Sequence, residues 1–343
     1  MNSLNRKLTA VIAILIFLII AVICAGFLAN GNTIITPHIT PVKTDTAIPA
    51  PVYTFPFEQS QVTISSPVDS SVYAGAKSAD KDTYTRGNIS DNVLLTDTYL
   101  SMMNDPNQEA FYTNLISAMR SVREKQELND DEYLELITVF VQEIQYETIS
   151  ENPPKFPIET YVEKSGDCDD KSLLLAGILS REGYKVALLS FPNESHMAIG
   201  VVCPGTDYKN TGYAFVETTE LSFVGVPTET LEGGIQLVST PIVIPVGNGT
   251  RTFGSCGESQ YLDSVFHSTE QEVNTLTPQI DAMKGQMDSL YQAHDVNDYN
   301  LRVPIYNDLQ HKRLLLAEIH NYILDHQFDR KGTYEYVSQN FPS

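Results

Sequence analysis

Apolar residues recur at helical spacing in two separate regions of the chain. The first region carries two stripes, at Phe111, Leu115, Met119 and Val122 and then at Tyr133, Leu136, Ile137, Phe140 and Ile144. Asn129 followed by Glu132 is the capping-box pattern that begins the second of these helices. The second region repeats the spacing in residues 273–290 and again in residues 305–323. We expect two helices in the first region and a C-terminal helical hairpin over residues 266–343, packed on the main domain or on a partner.

Between these regions, one apolar run is followed by several strand-like segments. Residues 173–179 form the apolar run, Asp167 fits the N-cap position before it, and Gly183 fits the position after its end. Cys168 should therefore lie in the first turn of a helix. The strand-like segments are residues 184–191, 196–203, 212–218 and 235–246. We expect an α+β fold in which the helix bearing Cys168 packs on an antiparallel sheet.

Three polar residues of this stretch are the set that thiol acyl transfer requires. Cys168 at a helix start would feel unpaired N–H groups and the positive end of the helix dipole, which favour its thiolate. His196 begins the second strand, and Glu217 lies on the third, where a carboxylate can bind the far imidazole nitrogen. Glu220 is close enough to be confused with Glu217, but strand alternation places the two on opposite faces. We favour Glu217 as the third member of the set.

Three aspartates, Asp167, Asp169 and Asp170, surround the cysteine in the sequence. Their negative charge opposes formation of a thiolate, so His196 would have to supply compensating positive charge. They lack the ligand spacing of a calcium loop, and the chain has no Gly-rich phosphate loop, dinucleotide fingerprint or paired-cysteine zinc motif. We therefore expect neither a metal nor a cofactor.

Three short motifs follow one another in this stretch: Gly166-Asp167-Cys168, His196-Met197-Ala198-Ile199-Gly200-Val201 and Val216-Glu217-Thr218. In this order they resemble the transglutaminase-like superfamily of papain-type cysteine enzymes, and particularly its prokaryotic, membrane-anchored branch. The resemblance covers residues 105–220 and implies a papain-like catalytic domain over residues 105–265. Two features depart from the family: the third motif has Glu where Asp is frequent, and the lack of tryptophan excludes a Trp oxyanion donor.

The resemblance also implies an activity. Cys168 would attack a peptide or glutamine amide and form a thioester; water as the second acceptor gives a protease or amidase, and a lysine amine gives a transglutaminase. Gln142 would donate its amide N–H to the oxyanion, although it could equally be a surface residue of an amphipathic helix. The alternative function is a non-catalytic cell-surface binding or scaffolding protein that keeps the same fold.

The N-terminal part of the chain is predicted to lie outside the core. Residues 8–29 contain no charge and follow Arg6 and Lys7, which predicts a transmembrane anchor within residues 1–30 and a catalytic domain outside the cytoplasm. A cleaved signal peptide is the alternative. Residues 31–60 are rich in Thr and Pro, as is typical of an extracytoplasmic linker, and residues 61–104 predict only poorly defined β-structure or loop.

Charge and cysteine content narrow the choice of partners. Lys plus Arg is 22 and Asp plus Glu is 43, which gives a net charge of −21 and argues against binding to nucleic acid or to anionic lipid surfaces. A protein or peptide substrate is the expected partner. Cys203 and Cys256 could form a disulfide in an oxidising compartment, or they could be two free thiols.

Overall fold

The structure is a computed structural model that describes residues 33–147, 153–228, 230–231 and 234–341. The strands in chain order are β1 (Thr33–Ile35), β2 (Val52–Phe57), β3 (Ser60–Ser65), β4 (Tyr84–Arg86), β5 (Gln145–Tyr146), β6 (Ser165–Gly166), β7 (Val186–Phe191), β8 (His196–Val201), β9 (Ala214–Val216) and β10 (Ile242–Val246). The helices are α1 (Ser70–Ser78), α2 (Asp91–Met103), α3 (Glu109–Gln126), α4 (Asp130–Gln142), α5 (Pro157–Glu163), α6 (Cys168–Arg181), α7 (Cys256–Gln292), α8 (Val296–Asp325) and α9 (Arg330–Asn340).

The central sheet is antiparallel, with the strand order β10-β7-β8-β9. Phe191 of β7 lies opposite His196 of β8, and Ile199 of β8 lies opposite Val216 of β9. The apolar run of α6 is buried throughout, and this helix packs on the sheet chiefly at β8. The prediction of a mixed α+β protein with a small antiparallel sheet is therefore confirmed. The fourth strand, β10, is shorter than the segment predicted for it.

The segment predicted as an extended linker is buried in part: Ile39 and alternate residues of β2 are in the core, whereas residues 41–50 are largely exposed. β2 forms an antiparallel hairpin with β3, and Tyr53, Phe55 and Phe57 alternate inward from β2. The prediction of a linker over residues 31–60 is therefore wrong for residues 52–57, which form β2. In β2 the aromatic residues alternate with Thr and Pro, and this period of two is typical of a strand with one buried face. The high Thr and Pro content of the segment masks this pattern.

Residues 61–104, predicted only as β-structure or loop, form regular elements that cover one side of the core. Helix α1 begins at the N-cap Asp69, whose carboxylate accepts the N–H of Ser71 at 2.8 Å. Tyr99, Met102 and Met103 of α2 are buried, and α2 packs against α6. This segment therefore contributes side chains close to Cys168.

The C-terminal region contains the predicted hairpin, formed by α7 and α8, and one further helix. Helix α7 begins at Cys256, earlier than predicted, and Leu276 and Ile280 are buried with Leu316 of α8. The third helix, α9, has a largely polar sequence without a continuous apolar stripe, which is why the pattern does not predict it. Its Val337 packs in a small cluster with residues of α7 and α8.

Helix α9 is held to α4 by buried and half-buried ion pairs. The Arg330 guanidinium contacts both carboxylate oxygens of Glu135, at 2.5 and 3.2 Å, and it also pairs with Glu258 of α7. Burial raises the pKa of Glu135 to about 7, against the opposing effect of the Arg330 charge. Lys331 pairs with Glu132 at 2.8 Å. The C-terminal helices are thus tied electrostatically to a helix of the central domain.

A disulfide between Cys203 and Cys256 decides between the two alternatives left open for these cysteines. It joins the chain just after β8 to the first residue of α7. Closing a loop in this way restricts the unfolded chain and so favours the folded state. Among the described cysteines, Cys168 is the free one.

The expectation of a transmembrane helix and of single-pass membrane localisation is corrected here. Within the ranges given above, no helix is both long enough and apolar enough to cross a bilayer. The long helices α7 and α8 have sufficient length, but polar and charged residues interrupt their apolar stripes along the whole length. Residues 1–30, for which the anchor was predicted, lie outside the described residues.

Replacing Arg330 with methionine should lower the free energy of unfolding by about 3–5 kcal/mol, because Glu135 would stay buried without its partner. Urea unfolding followed by circular dichroism measures the loss. The matched control is Lys312→Met, since Lys312 pairs with Glu272 where the two side chains are 54% and 47% exposed. That change should cost no more than about 1 kcal/mol. Equal losses in the two variants would contradict the role given to the buried pair.

Candidate active site

Helix α6 begins where the sequence predicts, with Asp167 as its N-cap. Oδ1 of Asp167 accepts the N–H groups of Asp169 and Asp170 at 3.1 and 3.2 Å, and Oδ2 of Asp170 accepts the N–H of Asp167 at 3.3 Å. This reciprocal pair is a capping box. Cys168 is the first helical residue, and its N–H is not among those that the cap carboxylate accepts.

The Cys168 thiol lies against the start of β8. Its Sγ is 3.6 Å from Oδ1 of Asp169 and 3.9 Å from the backbone oxygen of Ser195, and the backbone N–H of Met197 is near enough to act on its pKa. Ser195 and Met197 are the two neighbours of His196 in the chain. The structure therefore brings the thiol to the main chain on both sides of the predicted catalytic histidine.

The surroundings of Cys168 favour the protonated thiol over the thiolate. Burial raises the pKa of Cys168 well above its usual range, and the charges of Asp169 and Asp167 raise it further. The N–H of Met197 acts in the opposite direction and does not compensate. The expectation that the helix start would favour a thiolate is therefore wrong for this state, because desolvation and two carboxylates outweigh the partial charge of a helix N-terminus.

His196 and Glu217 form a buried pair. Nε2 of His196 is 3.3 Å from Oε2 of Glu217, and neither side chain is more than slightly exposed to solvent. Of the two acids that the sequence offered for this position, Glu220 is exposed and accepts a hydrogen bond from the Thr228 hydroxyl instead. Because Nε2 is directed to Glu217, Nδ1 is the ring nitrogen left for proton exchange with other groups.

The Glu217 carboxylate is held ionised by its hydrogen bonds. Burial alone would raise its pKa, but the interactions with His196 and Thr219 outweigh burial and hold the pKa below its usual value. Oε1 accepts the N–H groups of Thr218 and Thr219, both at 2.9 Å, and the Thr219 hydroxyl at 2.7 Å. A charged carboxylate at this position stabilises a protonated imidazole.

Gln142 does not serve as the predicted oxyanion donor. Its Nε2 donates to the backbone oxygens of Glu217 at 2.9 Å and of Ser222 at 3.1 Å, and an amide NH₂ has only two hydrogens to donate. The alternative of a surface glutamine is also wrong, since the side chain is buried. The sequence pattern correctly indicates that Gln142 lies near the site. However, its amide holds the loop that follows β9 and makes no N–H available to a substrate.

Tyr99 is a member of the site that the sequence pattern misses. Its hydroxyl donates to Oδ2 of Asp169 at 2.6 Å, while the other oxygen of Asp169 faces the Cys168 thiol. Burial raises the pKa of Asp169, and the hydrogen bond from Tyr99 opposes that rise. No short-range pattern links Tyr99 to Asp169, 70 positions later, because their contact depends on how α2 packs against α6.

A cavity of about 650 Å³ opens beside the start of α6. Within the described ranges, no group of three or more His, Cys, Asp or Glu side chains is arranged to bind a metal ion. Asp167 and Asp170 line the cavity together with charged residues of both signs, whereas Cys168 and His196 do not. The cavity is therefore next to the thiol helix without being the place where the thiol would meet a substrate.

Replacing Asp169 with asparagine should increase the rate at which Cys168 reacts with iodoacetamide at pH 7. The change removes a negative charge 3.6 Å from the sulfur, and an asparagine N–H would favour the thiolate, so we expect an increase of roughly tenfold. Rates are read by mass spectrometry of the peptide that contains Cys168. Asp288→Asn makes the same change of charge on exposed α7 and should have no effect. An unchanged rate in the Asp169 variant would show that Asp169 does not set the thiol pKa.

Comparison of the chain with protein-family models, with curated proteins and with solved structures gives no match.

Proposed function

We propose that this protein is a cysteine acyl-transfer enzyme with a papain-like core of the transglutaminase type. One observation carries the proposal. The Cys168 thiol lies against the backbone on both sides of His196, and the ring of His196 is held by a buried, ionised Glu217. The substrate class is an amide carbonyl, either a peptide bond or a glutamine side chain of a protein or peptide.

In the proposed reaction, the Cys168 sulfur attacks the carbonyl carbon and its proton passes to Nδ1 of His196. Glu217 stabilises the imidazolium that forms, and the N–H of Cys168, which the cap leaves unused, donates to the oxyanion. His196 then gives its proton to the leaving amine, and the C–N bond breaks to leave a thioester. A water molecule or a primary amine attacks the thioester next, which gives hydrolysis or cross-linking respectively.

The raised pKa of Cys168 determines how this first step proceeds. A thiol that is protonated at rest cannot attack as a preformed thiolate, so its proton leaves as the sulfur attacks. His196 is then a general base whose contribution is large. The Asp169 carboxylate stabilises the protonated thiol and so suppresses reaction with adventitious electrophiles.

A non-catalytic binding protein is the second candidate function, and two observations favour it. The Cys168 side chain is only 8% exposed, which restricts the approach of a substrate. The far end of the α7–α8 hairpin presents exposed apolar side chains, including Tyr291, Val296 and Leu301, which is a surface suited to binding another protein. On this alternative, the thiol and the imidazole are packing residues of a scaffold.

Replacing His196 with alanine separates these two functions. If His196 is the base for Cys168, the change should slow alkylation of Cys168 by iodoacetamide at pH 7 at least about tenfold. Peptide mapping by mass spectrometry distinguishes Cys168 from Cys24. His267→Ala is the matched control, because His267 is exposed on α7 and pairs with Asp263. Equal rates in the unaltered protein and the His196 variant would overturn the enzyme proposal and favour the binding function.

A further inference from the structure

Lys171 is a buried lysine one turn after Cys168 on the same helix. It is fully shielded from solvent, and its ammonium donates to three backbone oxygens. The first is Gln142, the last residue of α4, at 3.0 Å, and the second is Ile144, two residues later, at 2.7 Å. The third is Thr219, after β9, at 3.4 Å. A buried ammonium is costly unless its N–H groups are all paired, and here each of the three has a carbonyl partner.

Two of the residues whose carbonyls accept from Lys171 also form hydrogen bonds with Glu217. Thr219, whose carbonyl accepts from Lys171, also donates its N–H and its hydroxyl to Oε1 of Glu217. Gln142, whose carbonyl accepts from Lys171, donates its side-chain amide to the backbone oxygen of Glu217. Lys171 is thus hydrogen-bonded to the backbone of Thr219 and of Gln142, which both hold this glutamate in place.

Ser172 adds a second connection from the same helix. Its hydroxyl lies 3.3 Å from the backbone oxygen of Met197, directly after His196, and 3.2 Å from the hydroxyl of Thr218, directly after Glu217. The helix that carries the thiol therefore contacts the chain beside both of the other members of the site. Through these contacts, helix α6 helps to fix the positions of all three functional side chains.

We propose that Lys171 is a positioning residue that holds Glu217 against His196 in a fixed relation to Cys168. This role rests on the proposed function, because it concerns the alignment of the same three residues. The ammonium touches no reacting atom. It acts through Thr219 and Gln142, and its loss would release the loop after β9 and allow Glu217 to move away from Nε2 of His196.

The arrangement also gives the alignment a dependence on pH. Burial lowers the pKa of Lys171 to about 8, while the nearby charges of Glu217, at the end of β9, and Glu143, directly after α4, act in the opposite direction. A neutral amine has two N–H groups for three carbonyls, so one of these contacts must fail when the proton is lost. The alignment of Glu217 should weaken as the pH rises through about 8.

A double-mutant cycle on Cys168 alkylation at pH 7 tests the positioning role. Lys171→Met should slow alkylation about fivefold or more when His196 is present and should have no effect in the His196→Ala background, because Lys171 acts only through the histidine. A general loosening of the fold would change the rate in both backgrounds and would overturn the proposal. Lys185→Met, at an exposed lysine, is the control and should leave the rate unchanged. No effect of His196→Ala by itself would refute the proposed function instead.

A titration of the unaltered protein provides a test that does not depend on folding of the Lys171 variant. The proton on Nε2 of His196, assigned in the NMR spectrum by its absence from His196→Ala, should shift or broaden between pH 7 and pH 9 with a midpoint at about 8. A resonance that stays constant over this range would overturn the role of the Lys171 ammonium. A shift that occurs while His196→Ala leaves alkylation unchanged would support the positioning role and refute the catalytic one.

Discussion

Burial of polar groups at the start of α6 is the constraint on which the site depends. Cys168, Asp170, Lys171 and Ser172 occupy the first turns of this helix, and all four are buried. Each polar group removed from water must find a partner, since an unpaired one costs about 1–3 kcal/mol. The partners of Lys171 and Ser172 lie at the end of α4, on β8 and in the loop after β9, so satisfying these two residues also fixes the elements that carry or adjoin Gln142, His196 and Glu217.

The same burial determines the electrostatics of the site. It raises the pKa of the Cys168 thiol, and it raises that of Asp170 to about 7, with the charge of Asp167 adding to the effect. Glu217 is the exception because it gains enough hydrogen bonds to remain ionised. As a result, the His196 imidazole contacts one charged carboxylate, that of Glu217. The neutral Cys168 thiol lies against the backbone next to His196. That combination suits a general-base mechanism better than a preformed ion pair.

The sequence predicts those parts of the structure that local patterns encode. The cap at Asp167, the helix with Cys168 in its first turn and the strand that begins at His196 all follow from spacing and turn residues. Glu217, predicted on the third strand, lies directly after β9. The role of Gln142 and the contact between Tyr99 and Asp169 do not, because each depends on packing between elements that are distant in the chain. The thiol pKa is also beyond the sequence, since a helix N-terminus favours a thiolate only where burial does not outweigh it.

Helix α4 links the candidate site to the C-terminal helices. Near its start, Glu132 and Glu135 pair with Lys331 and Arg330 of α9, and its last residue, Gln142, holds the backbone of Glu217. The disulfide after β8 makes a second, covalent connection to α7. The C-terminal helices are therefore anchored on or directly beside the two elements that carry parts of the site, α9 through α4 and α7 through the chain after β8. Because α4 is a continuous, buried helix, a partner that displaced α9 would act on the same rigid element that positions Glu217.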